Sequence, residues 1–149
     1  MAGSTIYAVK AQLLTLLQAN STLSNVQVTY GDPLEGMRRE SIFLGDVISD
    51  SHTPESLSAG RRRRLEDYTV NVEVFVQSKP AGQQECEQRA IVLANAVEDV
   101  LAVYPTLDGA VSGLMFIECS GMSMSVAEAG LDGPRIQVTV QATAKARLS

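Results

Sequence analysis

Two stretches of this chain alternate apolar and polar residues with a strict period of two. In the first, Tyr68, Val70, Val72, Val74 and Val76 point one way, while Asp67, Thr69, Asn71, Glu73, Phe75 and Gln77 point the other. In the second, Ile136, Val138, Val140, Ala142 and Ala144 alternate with Gln137, Thr139, Gln141, Thr143 and Lys145. Successive side chains of a strand leave opposite faces, so this pattern predicts antiparallel strands with one buried face and one polar face. Such a sheet needs a cover, and the chain carries two candidates. Ile6, Val9, Leu13, Leu16 and Leu17 recur at helical spacing within residues 4–20, behind Ser4 or Thr5 as N-cap. Cys86, Ala90, Leu93, Ala94, Val97, Leu101 and Tyr104 form a second apolar stripe, over 83–104, stopped by Pro105.

Weaker signals fill in the order. Residues 26–30 read as a short β-branched strand ended by Gly31-Asp32-Pro33, and 41–44 as another, extending to Val47. Residues 65–78 hold the first clear strand, and 111–126 an extended run with a bend or bulge at Gly121. The turn at 129–134 joins that run to the second clear strand as a hairpin. The expected class is α+β: two helices on one face of a mostly antiparallel sheet, in the order α-β-β-β-α-β-β, as a single domain over 1–149. Residues 48–64, rich in Ser, Pro, Gly and charge, are expected to form a long mobile loop that orders against something else.

Composition narrows the function. Hydrophobic residues make up 45% of the 149, enough to build a core, and no apolar run is long enough to span a membrane. No basic segment followed by an apolar one opens the chain, so no secretory signal is expected. Net charge is −5 and aromatic residues are 5%, which argues against a nucleic-acid binder working by bulk positive charge or base stacking. Phosphate-cradling glycine motifs, Cys-x-x-Cys, His-Glu-x-x-His and Gly-x-Ser-x-Gly are all absent. Cys86 and Cys119 lie in apolar contexts and are read as reduced, buried thiols. His52, the single histidine, lies in the polar loop and reads as solvated. Glu85 and Glu87 suit the first turn of a helix, and Glu98-Asp99 a solvated helix face. No catalytic, cofactor-binding or metal-binding residue is expected.

The unabsorbed features are basic or apolar. Arg61, Arg62, Arg63 and Arg64 are consecutive, and Arg38 and Arg39 adjoin. Three readings stay open for the run: a solvated turn that discourages edge pairing, a contact with acidic surface of a neighbouring subunit, or a contact with DNA. Phe75, alone on the polar side of its strand, is a candidate contact residue, and Met122 and Met124 form either core or a pliable contact surface.

Several segments together resemble a known family. VTYGDP (28–33) follows the first helix. After it come RRESIFLGDV (38–47), AGRRRRLEDYTVNVEVFV (59–76), QRAIVLANAVEDVL (88–101) and PTLDGAV (105–111). In this order they resemble the tail terminator, or tail completion, proteins of long-tailed bacteriophages. Beyond Ser112 the resemblance lies in element order alone. It implies a structural virion protein forming a hexameric ring on the head-proximal end of the tail tube. The ring would end tube polymerisation and offer a surface to the head connector, with DNA passing through its lumen without specific binding. The implied partners are further copies of the chain, the tail-tube protein and the connector or stopper protein. Assembly in the host cytoplasm and residence in the virion follow, with no cofactor and no membrane. Arg38, Arg39, Arg61, Arg62, Arg63, Arg64 and Phe75 are the candidate subunit or tube contacts. A head–tail connector of similar fold is the near alternative. A small DNA-binding domain and a small enzyme built on His52 are the distant ones.

Overall fold

The computed structural model describes residues 3–54, 64–78, 80, 82–128 and 133–148, with backbone alone at 50–54 and 128. Helix α1 (Ile6–Gln18) buries Val9, Leu13 and Leu17, spaced four apart on one stripe. It ends at Ala19, and Asn20 then starts a single 3₁₀ turn, Ser21–Leu23, by accepting from the Thr22 N–H. Strand β1 (Gln27–Thr29) is short. Strand β2 (Glu40–Pro54) and strand β3 (Arg64–Gln77) follow, then helix α2 (Gln83–Val103), strand β4 (Leu114–Glu128) and strand β5 (Pro134–Leu148).

The five strands form one sheet in the order β1-β2-β3-β5-β4. β1 runs parallel to β2 and every other pairing is antiparallel. This is the expected α+β arrangement. The alternating strands sit at its centre, where Val70, Val72 and Val74 of β3 lie opposite Ala142, Val140 and Val138 of β5. All six are fully buried, and with α1 and α2 they form one core. Ala90 and Ala94 of α2 are also fully buried. Small residues on α2 and on the second half of β5 let helix and sheet approach closely.

One element differs from expectation. β2 does not stop near Val47: its backbone stays paired with β3 as far as Pro54 opposite Arg64. Two register shifts, between Leu44 and Val47 and between Ser49 and Ser51, break the period-two signal that would have revealed it. Residues 48–54 and Arg64, the two ends of the expected loop, are therefore strand. The rest of the expected mobile loop, 55–63, lies outside the described residues.

Glu66 is the other departure. It shares the core-facing parity of Tyr68 and is 2% exposed. Its carboxylate accepts from the backbone N–H and the hydroxyl of Thr5, and that hydroxyl also bonds the Tyr68 hydroxyl at 2.8 Å. Thr5 is the N-cap of α1 but makes no side-chain cap bond of its own. The negative charge placed there instead comes from β3, where the helix dipole favours it.

Candidate functional site

The helices cover one face of the sheet, so surface chemistry falls on the other face and on the two edges. The uncovered face is not uniformly polar. Phe43 and Phe75 point into it, yet both are nearly buried. The connection between β1 and β2 lies against them. It makes a 3₁₀ turn at Leu34–Gly36, and Met37 then lines, with Phe43 and Phe75, an open groove of about 400 Å³. Arg135 closes the far side, its guanidinium carbon 4.7 Å from the centre of the Phe75 ring. Such stacking of a cation on an aromatic face is favourable by roughly 0.5–1 kcal/mol at exposed sites.

Polar groups in this groove largely satisfy one another. Glu73 Oε2 accepts from Gln137 Nε2 at 3.0 Å and from the Thr139 hydroxyl at 2.6 Å. Asp32 Oδ1 accepts from the Leu34 N–H at 2.8 Å, fixing the turn. Arg38 donates its backbone N–H to Gln27 Oε1, and the Ser41 hydroxyl donates to the same oxygen. Among the described residues, no cluster of three or more His, Cys, Asp or Glu side chains is arranged to hold a metal ion.

The candidate contact residues fall into separate places. Arg38 and Arg39 are exposed at the start of β2. Arg64 is exposed at the start of β3, at the opposite end of the sheet. The Gln77 N–H donates to the Arg39 carbonyl at 2.8 Å, so Arg39 sits at the far end of β3. The 14 residues of that strand, at about 3.3 Å each, separate the two arginine groups by about 40 Å. Arg61, Arg62 and Arg63 lie outside the described residues. Phe75 is 4% exposed, so it is Arg135, stacked over it, that meets solvent there. His52 belongs to β2, with its backbone opposite Glu66.

Two further surface features lie at β4 and in the β1–β2 connection. β4 is an edge strand 15 residues long, paired on one side to β5. Met122, Met124 and Val126 lie opposite Val140, Val138 and Ile136, on the helix-facing side, yet each remains more than a third exposed. In the connection between β1 and β2, Leu34 is 75% exposed and holds φ at 52°. The cysteines behave as small apolar groups. Cys86 is buried, and partial burial pushes the Cys119 thiol up, away from thiolate.

No protein-family model matches the chain, and no curated protein matches it. Among solved structures, a chain from the virion of a native gene transfer agent particle superposes with a TM-score of 0.69. Identity is 16%, and the match covers 98% of this chain and 99% of that one. The likeness is therefore one of the whole fold rather than of sequence.

Proposed function

We propose that this protein is a structural component of a phage-like virion, and within it a tail terminator. Six copies form a ring on the head-proximal end of the tail tube, end its growth and receive the head connector. The observation that carries the reading is the β4 edge. A long strand edge with no partner strand among the described residues, beside exposed Met122, Met124 and Val126, is an aggregation hazard unless something covers it. Ring formation covers an edge on every subunit at once, through a contact between two unlike surfaces. End-to-end likeness in fold to a chain from a virion particle supports the same reading. So does the resemblance of 28–33, 38–47, 59–76, 88–101 and 105–111 to tail terminators. The net charge of −5 suits a passage through which DNA must slide without being held.

Light scattering coupled to size exclusion, over a concentration series, tests the ring, and electron microscopy of tail tubes tests the role. The expected results are a species of six chain masses and tubes blocked at one end. A protein that leaves tubes growing but binds the portal side of the head would be a connector, and the terminator reading would be wrong.

A further inference from the structure

The groove on the uncovered face continues past Met37 and Phe75 into a second hollow of about 370 Å³. Asp32, Met37, Phe75 and Arg135 line both. The two halves carry opposite charge. Around the second hollow stand Arg38, Arg39 and Arg135, against the single carboxylate of Asp32. All three arginines are exposed, and none makes an ion pair among the described residues. Around the first half stand Asp32, Asp46 and Glu73, against Arg135 alone.

Backbone placement sets this order along the strands. Gln77 donates its N–H to the Arg39 carbonyl and pairs with Arg135 on β5, so the guanidinium groups gather at one end of β3. Phe75 follows two residues along on the same side of the strand, and Glu73 two beyond it. Beside Glu73, the register shift between Leu44 and Val47 places Gly45 and the exposed Asp46 at the rim. Glu73 Oε2 takes both hydrogen bonds from β5. Gly45 leaves the rest of that carboxylate uncrowded: a Cβ there would lie 3.1 Å from Glu73 Cγ and 3.3 Å from Oε1. At the arginine end, Leu34 also lines the hollow. It is 75% exposed at φ 52°, in the left-handed region where a Cβ crowds the backbone. The chain thus accepts strain to hold an apolar side chain at this rim.

We propose that this groove binds an extended segment of another protein that carries carboxylates, then apolar side chains, then cations. The carboxylates meet Arg38, Arg39 and Arg135, the apolar side chains lie on Met37 and the Arg135–Phe75 stack, and the cations meet Glu73 and Asp46. The inference concerns the uncovered face and stands apart from the ring reading, which rests on the β4 edge. Charge selects the occupant. A nucleic acid is negative along its whole length, and its phosphates would run from the arginines onto Asp46 and Glu73. A free phosphate would leave the apolar floor and the acidic half unused. From Arg39 to Asp46 the chain runs seven residues with one register shift, about 20 Å. That exceeds a small zwitterion and matches about six extended residues. A segment of one charge sign gains at one end and is repelled at the other, so the groove discriminates by charge order rather than by net charge.

Methionine-methyl NMR tests this on the full chain, whatever its oligomeric state. Of the five methionines, Met37 alone among the described residues lines the groove, so the others report nonspecific effects. The probes are the capped peptides EELSLKK and KKLSLEE, the single-sign peptides EELSLEE and KKLSLKK, and a short oligothymidylate. Both chain directions are included because charge order alone defines the fit. At least one mixed-charge peptide should shift the Met37 methyl and leave the others in place. The single-sign peptides should bind at least several-fold more weakly. Arg38→Glu with Arg39→Glu at one end, and Asp46→Lys at the other, should each weaken the mixed-charge peptide several-fold. These positions are exposed, and thermal melting followed by circular dichroism verifies that the variants are folded. The proposal is overturned if no peptide moves Met37, if EELSLEE or oligothymidylate binds as tightly as the mixed-charge peptides, or if the end variants bind like wild type. None of these outcomes bears on the six-chain species, which light scattering reads separately.

Discussion

Glu66 Oε1 accepts two hydrogen bonds from Thr5, 3.0 Å from its backbone nitrogen and 2.9 Å from its hydroxyl. Sixty-one residues separate the partners in sequence, so this contact fixes where α1 begins relative to the middle of the sheet. Bonds to a buried charged acceptor are among the stronger ones, roughly 1.5–3 kcal/mol net. Thr5→Val removes the hydroxyl from both Glu66 and Tyr68 while keeping the backbone donor. It should destabilise the fold by about 1–3 kcal/mol. Urea unfolding measures the loss, and hydrogen exchange should show it concentrated in the first turn of α1.

Tyr68 ionises late. Burial, which outweighs the Thr5 hydrogen bond, and the nearby Glu66 charge push its pKa up to about 12. The unfolded chain releases this proton near the ordinary value of 10.0. Between those two points the unfolded state binds fewer protons than the native one, so stability falls as pH rises from about 10 to about 12. Below that window the contribution is fully present. Tyr68→Phe should be less stable at neutral pH, through loss of the Thr5 bond, but should lose less on going alkaline. Melting temperature against pH for both proteins checks the crossing of slopes.

Two glycines predict opposite outcomes. Gly113 has φ 88°, and a Cβ there would lie 2.6 Å from the Arg147 carbonyl oxygen, whose own N–H bonds back to the Gly113 carbonyl at 2.8 Å. Backbone cannot yield, so Gly113→Ala should cost more than about 1 kcal/mol. At Gly121 the obstacle is Gln141 Oε1, 2.7 Å away but at the end of a flexible side chain. Gly121→Ala should stay within about 0.5 kcal/mol of the parent. Parallel denaturant curves decide.

The Arg89–Glu40 pair joins α2 to the first residue of β2 through two bonds, 2.7 and 3.0 Å. Both side chains remain about a third exposed, at 38% and 30%. Despite its fork geometry, the pair should therefore contribute less than about 1 kcal/mol. Arg89→Ala should lower stability slightly at low salt, and the difference should shrink as salt is added.

Much of the architecture follows from short-range pattern. The period-two runs ending at Val76 and Ala144 locate the two central strands. The four-residue spacing of Val9, Leu13 and Leu17 and the stripe from Cys86 to Leu101 locate the helices. What stayed hidden depends on non-local geometry. Nothing in the local pattern marks Glu66 as a buried acceptor at the start of α1; only its contact with Thr5 does. Phe75 reads as an exposed ring until the β1–β2 connection and Arg135 close over it. Arginines that look like one basic theme along the chain are split between opposite ends of a long strand. Met122 and Met124 stood open between core and contact surface, because how far the helices cover β4 is set by tertiary packing.

The bulge around Ser120 has a consequence for how this chain tolerates changes in length. Before it, Ile117 and Cys119 face the helices; after it, Met122, Met124 and Val126 do, so the parity switches from odd to even. Deleting Ser120 would remove only the extra residue: Cys119, Met122, Met124 and Val126 would keep the helix-facing side in plain alternation, and every pairing with β5 would stand. The extra residue is slack in the strand: the chain can lose it without changing which side chains form the apolar strip of this edge.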